Sequence, residues 1–350
     1  MRKVCIAVNI CTYKRQESIR HIIEKIRNSF FFQERAVSVY AGALYLFITD
    51  NAGEMDEIES RHIRLKHNPQ GNTGGSGGYQ HGIGMIREAG TEFTHVVFMD
   101  DDVDFEMSCF YRLYDFLRTV EAEDMDRPVA GRMIRMDNRA VQYTAAEIWN
   151  GGHIQHVGFN KDLSEIDSEP WAEYNAGADY GGWWFCCYPW SFVKENDIMP
   201  FFLHCDDVEY GLRCRRPPII LKGVQVWHES FEHNSTPLIC YYDTRNTLYV
   251  NEKYGLQPDA HKVLADWKAK ISAYHLHREW DYEYYAIRGM YDFLKGAGWL
   301  YRIHPGKYHQ RLQRAWSCRY KNSILWRVTE SRFKRKYKIE SRQISRRQRG

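Results

Sequence analysis

Residues 94–106 read THVVFMDDDVDFE, a buried strand that ends in three consecutive carboxylates, Asp100, Asp101 and Asp102. Neighbouring negative charges repel one another and lose solvation at a strand end, so the cluster calls for a cation. Alternation along an extended chain sends Asp100 and Asp102 to one side and Asp101 to the other. Two carboxylates converging there make a hard oxygen site suited to Mg²⁺ or Mn²⁺, ions that also take phosphate oxygens and water. A solvated acidic loop is the competing reading of the triplet alone, and the rest of the chain decides between the two.

Upstream, strand and helix signals alternate. KVCIAVNICTY, ALYLFITDN and IRLKHN read as strands, ESIRHIIEKIRNSF has apolar residues at helical spacing, and YQHGIGMIREAG is a second helix beginning near residue 79. This βαβ order predicts an α/β fold with a mainly parallel, doubly wound central sheet, which binds ligands at the carboxyl ends of its strands. Thr12, Asp50 and Asp100 all fall at such ends. A helix near CFYRLYDFLRTVEA and strands near PVAGRMI and IILKGVQVWH follow, and from about residue 256 onward the signals are helical. We therefore expect a catalytic domain over 1–255 and a helical C-terminal region over 256–350.

Composition narrows the class. At 350 residues and 44% hydrophobic content the chain can bury an enzyme-sized core. Its apolar runs are too short to span a bilayer, and VCIAVNIC runs into TYKR without a cleavage site, so a cytoplasmic location is expected. The nine cysteines have irregular spacings, with Cys186 and Cys187 adjacent, a pattern of reduced thiols rather than of a zinc ribbon or CxxC centre. The net charge of +3 conceals an asymmetry: residues 301–350 carry sixteen Lys plus Arg against two Glu, a local +14, and the remainder is −11. With Trp316, Leu325, Trp326 and Phe333 among its charges, that tail reads as an anchor for an anionic membrane surface, with a solvated helix as the plain alternative. Nucleic-acid binding is disfavoured, because the body is acidic and carries no recognition motif.

Three further constellations carry chemistry. FLHCDDVEYGLRC, residues 202–214, sets Asp206, Asp207 and Glu209 at the start of a helix, where simple capping is the plain alternative. VQVWHESF places His228 just after an apolar strand. NPQGNTGGSGGYQHG packs five glycines into eight positions without a Rossmann or P-loop spacing. It is either a flexible loop or a backbone brought close to a phosphate at a helix start. In ADYGGWWFCCYPW, adjacent Trp183 and Trp184 must point to opposite faces of a strand, so one could stack on a sugar, with burial in the core as the plain alternative.

Together these residues resemble the inverting, metal-dependent GT-A nucleotide-sugar glycosyltransferases of family 2, and within them the bacterial galactofuranosyltransferases. The resemblance covers roughly residues 3–255. In order, it runs through Thr12, Tyr13, Lys14 and Arg15, ITDNAG at Asp50, NTGGSGG at Asn72, DDD at Asp100, GGWW at Trp183, CDDVEYGLR at Asp207, WHESF at His228 and YYDTRN at 241–246.

The resemblance implies that Thr12, Arg15, Asp50, Asn72, Asp100 and Asp101 bind the nucleotide-sugar donor. Asp100, Asp102 and His228 hold Mn²⁺ or Mg²⁺, Asp207 is the general base, and Trp183, Trp184, Asp206 and Glu209 line the acceptor site. The implied activity is transfer of galactofuranose from a UDP-sugar onto a lipid-linked cell-surface glycan, with the enzyme peripheral on the inner face of the membrane. A rhamnosyl- or other hexosyltransferase, and a non-catalytic glycan-binding protein on the same scaffold, are the alternatives. A homo-oligomer is compatible with the resemblance.

Overall fold

The computed structural model describes residues 2–34, 38–168, 177–233 and 236–339. The last residues of the basic tail, 340–350, lie outside these. The chain divides into two compact units, Met1–Asn234 with His304–His309, and Ser235–Ile303 with Gln310–Gly350.

The first unit is built on strands β1 Ile6–Thr12, β2 Leu44–Asp50, β3 Ile58–Glu59, β4 Ile63–His67, β5 His95–Asp100, β6 Val129–Arg135, β7 Val141–Thr144, β8 Glu147–Asn150, β9 His153–His156, β10 Lys161–Asp162, β11 Cys186–Pro189 and β12 Ile219–His228. Its helices are α1 Gln16–Arg27, α2 Gly74–Arg87, α3 Met107–Thr119, α4 Leu163–Ser168, α5 Trp190–Val193 and α6 Asp206–Gly211. The sheet runs β10-β7-β6-β11-β5-β1-β2-β4-β3, with β12 paired to β6, while β8 and β9 form a separate ribbon. β5, β1, β2 and β4 are mutually parallel in sequence along the sheet, and β12 is parallel to β6. This is the expected α/β architecture with a mainly parallel centre.

Parallel strands covered on both faces read as continuous apolar runs, and β1 and β2 are buried almost throughout. α1 covers one face with Ile19, Ile22, Ile23 and Ile26, a stripe at helical spacing. Register then aligns the strand ends: Cys11 pairs with Asp100 and Thr12 with Asp50.

α2 corrects the sequence expectation. The helix begins at Gly74 rather than near residue 79 and takes in four of the five glycines, Gly74, Gly75, Gly77 and Gly78, so that part of the stretch is not a flexible loop. A Cβ on Gly78 would stand 2.1 Å from the Cys11 sulfur, and one on Gly82 would stand 1.9 Å from Asn9 Oδ1. Glycine at this i, i+4 spacing removes side chains from the face that meets β1, so the helix axis approaches the sheet closely.

The second unit contains α7 Pro237–Tyr254, α8 Ala260–Leu276, α9 Trp280–Phe293, α10 Ala297–Leu300 and α12 Arg319–Lys336; α11 Pro305–Gln313 begins in the first unit and ends in the second. Thr236 caps α7, accepting a hydrogen bond from the Ile239 amide, and Gly255 ends it at φ +63°. The YYDTRN element lies on α7, where buried Arg245 sits 5.1 Å and 5.2 Å from the Tyr241 and Tyr242 rings. Of the four apolar tail residues named above, Phe333 is buried and Leu325 and Trp326 pack against a core cluster, whereas Trp316 is exposed. No helix of the described residues is long and apolar enough to cross a membrane. The nine cysteines are free thiols.

Candidate active site

β5 ends on Asp100, and the turn after it is fastened to the end of β12 by reciprocal backbone bonds between Asp104 and Trp227, at 2.9 and 2.7 Å. That fastening sets His228 beside the acidic triplet. Its Nε2 lies 3.1 Å from Asp102 Oδ1 and 3.9 Å from Asp100 Oδ2. Nδ1 meets the Glu229 carbonyl at 2.6 Å, which fixes the donor tautomer there and turns Nε2 to the carboxylates.

One ligand atom from each of Asp100, Asp102 and His228 lies within 4.8 Å of the others. Two carboxylates and an oriented imidazole fit a small divalent cation with open positions. The three groups are electrostatically coupled. Burial and the neighbouring Asp102 charge push Asp100 up to about 6. Burial alone would lower His228, but the hydrogen bond and charge of Asp102 outweigh it and raise the imidazole to about 9.

Asp101 turns the other way. Its Oδ2 accepts from Thr12 Oγ1 at 2.6 Å and its Oδ1 from Arg15 Nη1 at 2.6 Å. Arg15 also reaches Asp102 Oδ2 at 2.8 Å, so one guanidinium ties the outward acid to a candidate metal ligand. Asp50 is buried, and its two oxygens accept the amides of Ala52, Glu54 and Met55, shaping the turn after β2. Asn72 Oδ1 accepts the Gly74 amide at the start of α2.

The second acid group opens α6. Asp206 Oδ2 accepts from Ser76 Oγ at 2.9 Å, and Asp207 Oδ1 accepts the Val208 amide at 2.7 Å. Burial raises Asp207 well above the usual carboxylate range, and the charges of Asp206, Glu147 and Asp100 add to it. A carboxylate whose proton affinity is raised in this way is a stronger base than an ordinary carboxylate. Glu209 is buried and ion-paired with Arg213, Oε1 accepting from Nε at 2.9 Å.

Trp183 and Trp184 lie in the turn before β11, not in a strand as expected; they pack in separate core clusters and both are 4% exposed. Trp183 stacks on Phe98 at 4.7 Å, and Trp184 Nε1 donates to the Gly131 carbonyl at 2.8 Å. Neither indole presents a broad open face, and the turn before them is held close to β6, where a Cβ on Gly181 would stand 2.7 Å from that of Ala130.

Two contributors escape sequence reading. Tyr79 donates to Asp100 Oδ1 at 2.8 Å, a contact that exists only because glycine-rich α2 lies close against the sheet. Buried Glu147 accepts from Tyr180 at 2.6 Å and meets His156 Nδ1 at 2.8 Å, and its charge helps to raise Asp207. Its one sequence signal is a lone acid in the small and apolar run TAAEIW.

No family model matches the chain. Galactofuranosyltransferase GlfT2 of Mycobacterium tuberculosis is 27% identical over 267 residues, covering 69% of this chain and 40% of that protein. GlfT2 of Mycolicibacterium smegmatis is 26% identical over 276 residues, covering 73% and 41%. The chain thus spans about two fifths of the length of the curated relatives it matches. Among solved structures, Staphylococcus aureus TarS residues 1–349 in complex with UDP-GlcNAc is 13% identical, covering 95% of this chain and 92% of that one, at a TM-score of 0.47. The same TarS segment with UDP is 12% identical at 0.46.

Proposed function

We propose that this chain, similar to galactofuranosyltransferases over about 70% of its length, is a metal-dependent, inverting GT-A glycosyltransferase that moves galactofuranose from UDP-galactofuranose onto a lipid-linked glycan. The carrying observation is the pairing of a three-ligand cation cluster, Asp100, Asp102 and His228, with a separate carboxylate, Asp207, of raised proton affinity. A nucleotide-sugar transferase needs both. A divalent ion held by that cluster would neutralise charge on the departing diphosphate. Asp207, on the acceptor side, removes the proton from the attacking hydroxyl.

Arg15 supplies a cation beside the same centre, and Thr12 fixes the Asp101 carboxylate that Arg15 grips. Asp50 and Asn72 shape the turn and helix start that receive the nucleotide. Asp206 lines the acceptor opening, while Glu209, Trp183 and Trp184 form its wall from behind. The imidazole among the ligands favours Mn²⁺ over Mg²⁺, since Mg²⁺ prefers oxygen alone. The basic C-terminal tail holds the enzyme to an anionic membrane face, where a lipid-linked acceptor resides.

The test is a panel of nucleotide sugars, including UDP-galactofuranose, UDP-galactopyranose and dTDP-rhamnose, given to purified protein with Mn²⁺ and a lipid-linked acceptor. Transfer from UDP-galactofuranose with inverted anomeric configuration is expected. Turnover of dTDP-rhamnose instead would replace the donor, and no nucleotide release from any sugar would sink the transferase reading.

A further inference from the structure

The residues just before the two acids of α6 have an unusual backbone. Among the described residues, seven that are not glycine have positive φ, and three of them are Phe202 at +78°, His204 at +63° and Cys205 at +63°. A left-handed aromatic residue is an outlier, and such conformations persist only where the surroundings impose them. The run ends at Cys205, whose carbonyl accepts the Glu209 amide at 3.0 Å and starts α6. The direction in which α6 leaves, and hence the aim of Asp206 and Asp207, is set there.

Three contacts impose the conformation. The Phe202 carbonyl lies against Gly74, 2.0 Å from where a Cβ would stand, so only glycine fits. Ser76 holds Asp206 from the same helix. The third comes from a distant part of the sequence: His309 stacks on the Phe202 ring at 4.4 Å and 22°. His309 belongs to the segment His304–His309, which is part of the first unit although its sequence neighbours are not. Gly306 of that segment lies on the Asn72 carbonyl, 2.1 Å from where its own Cβ would stand. The segment therefore touches both the start of α2 and the strained turn. Burial pushes the His309 imidazole below its ordinary value, which favours the neutral ring that stacks well on phenylalanine.

We infer that His309 is a positioning residue for the base: its ring clamps Phe202 in the left-handed conformation that launches α6 and aims Asp207 at the acceptor. This rests on the reading of Asp207 as the base. The contact through which it acts is the stack on Phe202.

The experiment compares the full chain with His309→Ala and His309→Phe by amide hydrogen exchange and by steady-state transfer. In His309→Ala, exchange across residues 202–209 should quicken about tenfold while the amides of α2 keep their protection. Its kcat should fall about tenfold or more, with KM for the nucleotide sugar within about twofold, the pattern of misaligned groups rather than lost donor binding. His309→Phe keeps a stacking ring without a titratable group and should return both readouts to near the parent. Unchanged exchange in His309→Ala, or a His309→Phe variant as impaired as His309→Ala, would overturn the clamp. A parent chain that transfers no sugar would instead overturn the transferase reading and the catalytic half of this inference, leaving the exchange pattern to judge the clamp by itself.

Discussion

Asp207 sits where its charged form is disfavoured, and that has opposite consequences for activity and stability. Its pKa is raised by burial and by Asp206, so the free carboxylate proposed as the base is lost at a higher pH than an ordinary carboxylate would be. For folding, a raised carboxyl pKa means that stability is fully present below the unfolded value of about 4 and is lost as pH rises through the folded value. Asp207→Asn should therefore lose transfer while still binding UDP and Mn²⁺, and in the metal-free protein it should raise Tm at pH 7 but not at pH 4. Parent-like turnover would remove Asp207 from the base role; equal Tm values at pH 7 would remove the strain.

The acids at the end of β5 divide in the same concrete way. Asp102→Asn should weaken Mn²⁺ binding at least tenfold. Asp101→Asn, which faces Thr12 and Arg15, should change it by less than about threefold. Tyr79→Phe removes the hydroxyl that orients Asp100 and should weaken Mn²⁺ binding about tenfold. Calorimetric titration of Mn²⁺ in the presence of UDP checks all three, and equal losses at Asp101 and Asp102 would undo the division between them.

Among the elements, α2 shows how far sequence reading reaches. β1, β2, β4, β5 and β12 were legible because apolar runs with clear ends need no partner to be recognised, and the register of parallel strands then brings their carboxyl ends together. Glycine spacing gave the opposite signal to the truth. Low propensity suggested a loop, whereas close packing against β1 outweighs the propensity cost and keeps the helix. The β8–β9 ribbon was hidden because short strands among aromatic loops carry little periodicity, and Glu147 was hidden with it, while the strand read at Trp183 and Trp184 begins only at Cys186, as β11. Packing against β1 makes the glycines unequal. Gly78→Ala and Gly82→Ala push a methyl into Cys11 and Asn9 and should each cost about 1–3 kcal/mol. Gly84 has nothing within 4 Å of a Cβ, so Gly84→Ala should stabilise by about 0.5–1 kcal/mol. Urea denaturation of the three variants separates the outcomes, and a uniform effect would show that the packing account of α2 is mistaken.

At the scale of the whole chain, the dominant feature is the charge division between residues 301–350, at +14, and the remainder, at −11. Packing of Leu325, Trp326 and Phe333 removes much of the apolar surface that the tail seemed to offer, so electrostatics must supply most of any membrane affinity. Tyr320, Ile324 and Val328 nevertheless remain exposed at four-residue intervals on α12, a narrow apolar stripe among cations. Each Lys or Arg near an anionic leaflet contributes about 1 kcal/mol, and screening shortens the range of that attraction from about 10 Å at 0.1 M salt to about 3 Å at 1 M. The protein should therefore co-sediment with phosphatidylglycerol vesicles at 0.1 M salt and be released at 1 M. Removal of residues 341–350, which carry four Arg and no acid, should weaken the binding at least tenfold. Ile324→Ser should weaken it by less, about twofold to fivefold, because one partly exposed side chain contributes less than four charges. Equal sedimentation with phosphatidylcholine would show that charge does not govern attachment, and no sedimentation with either lipid would sever the tail from any membrane role.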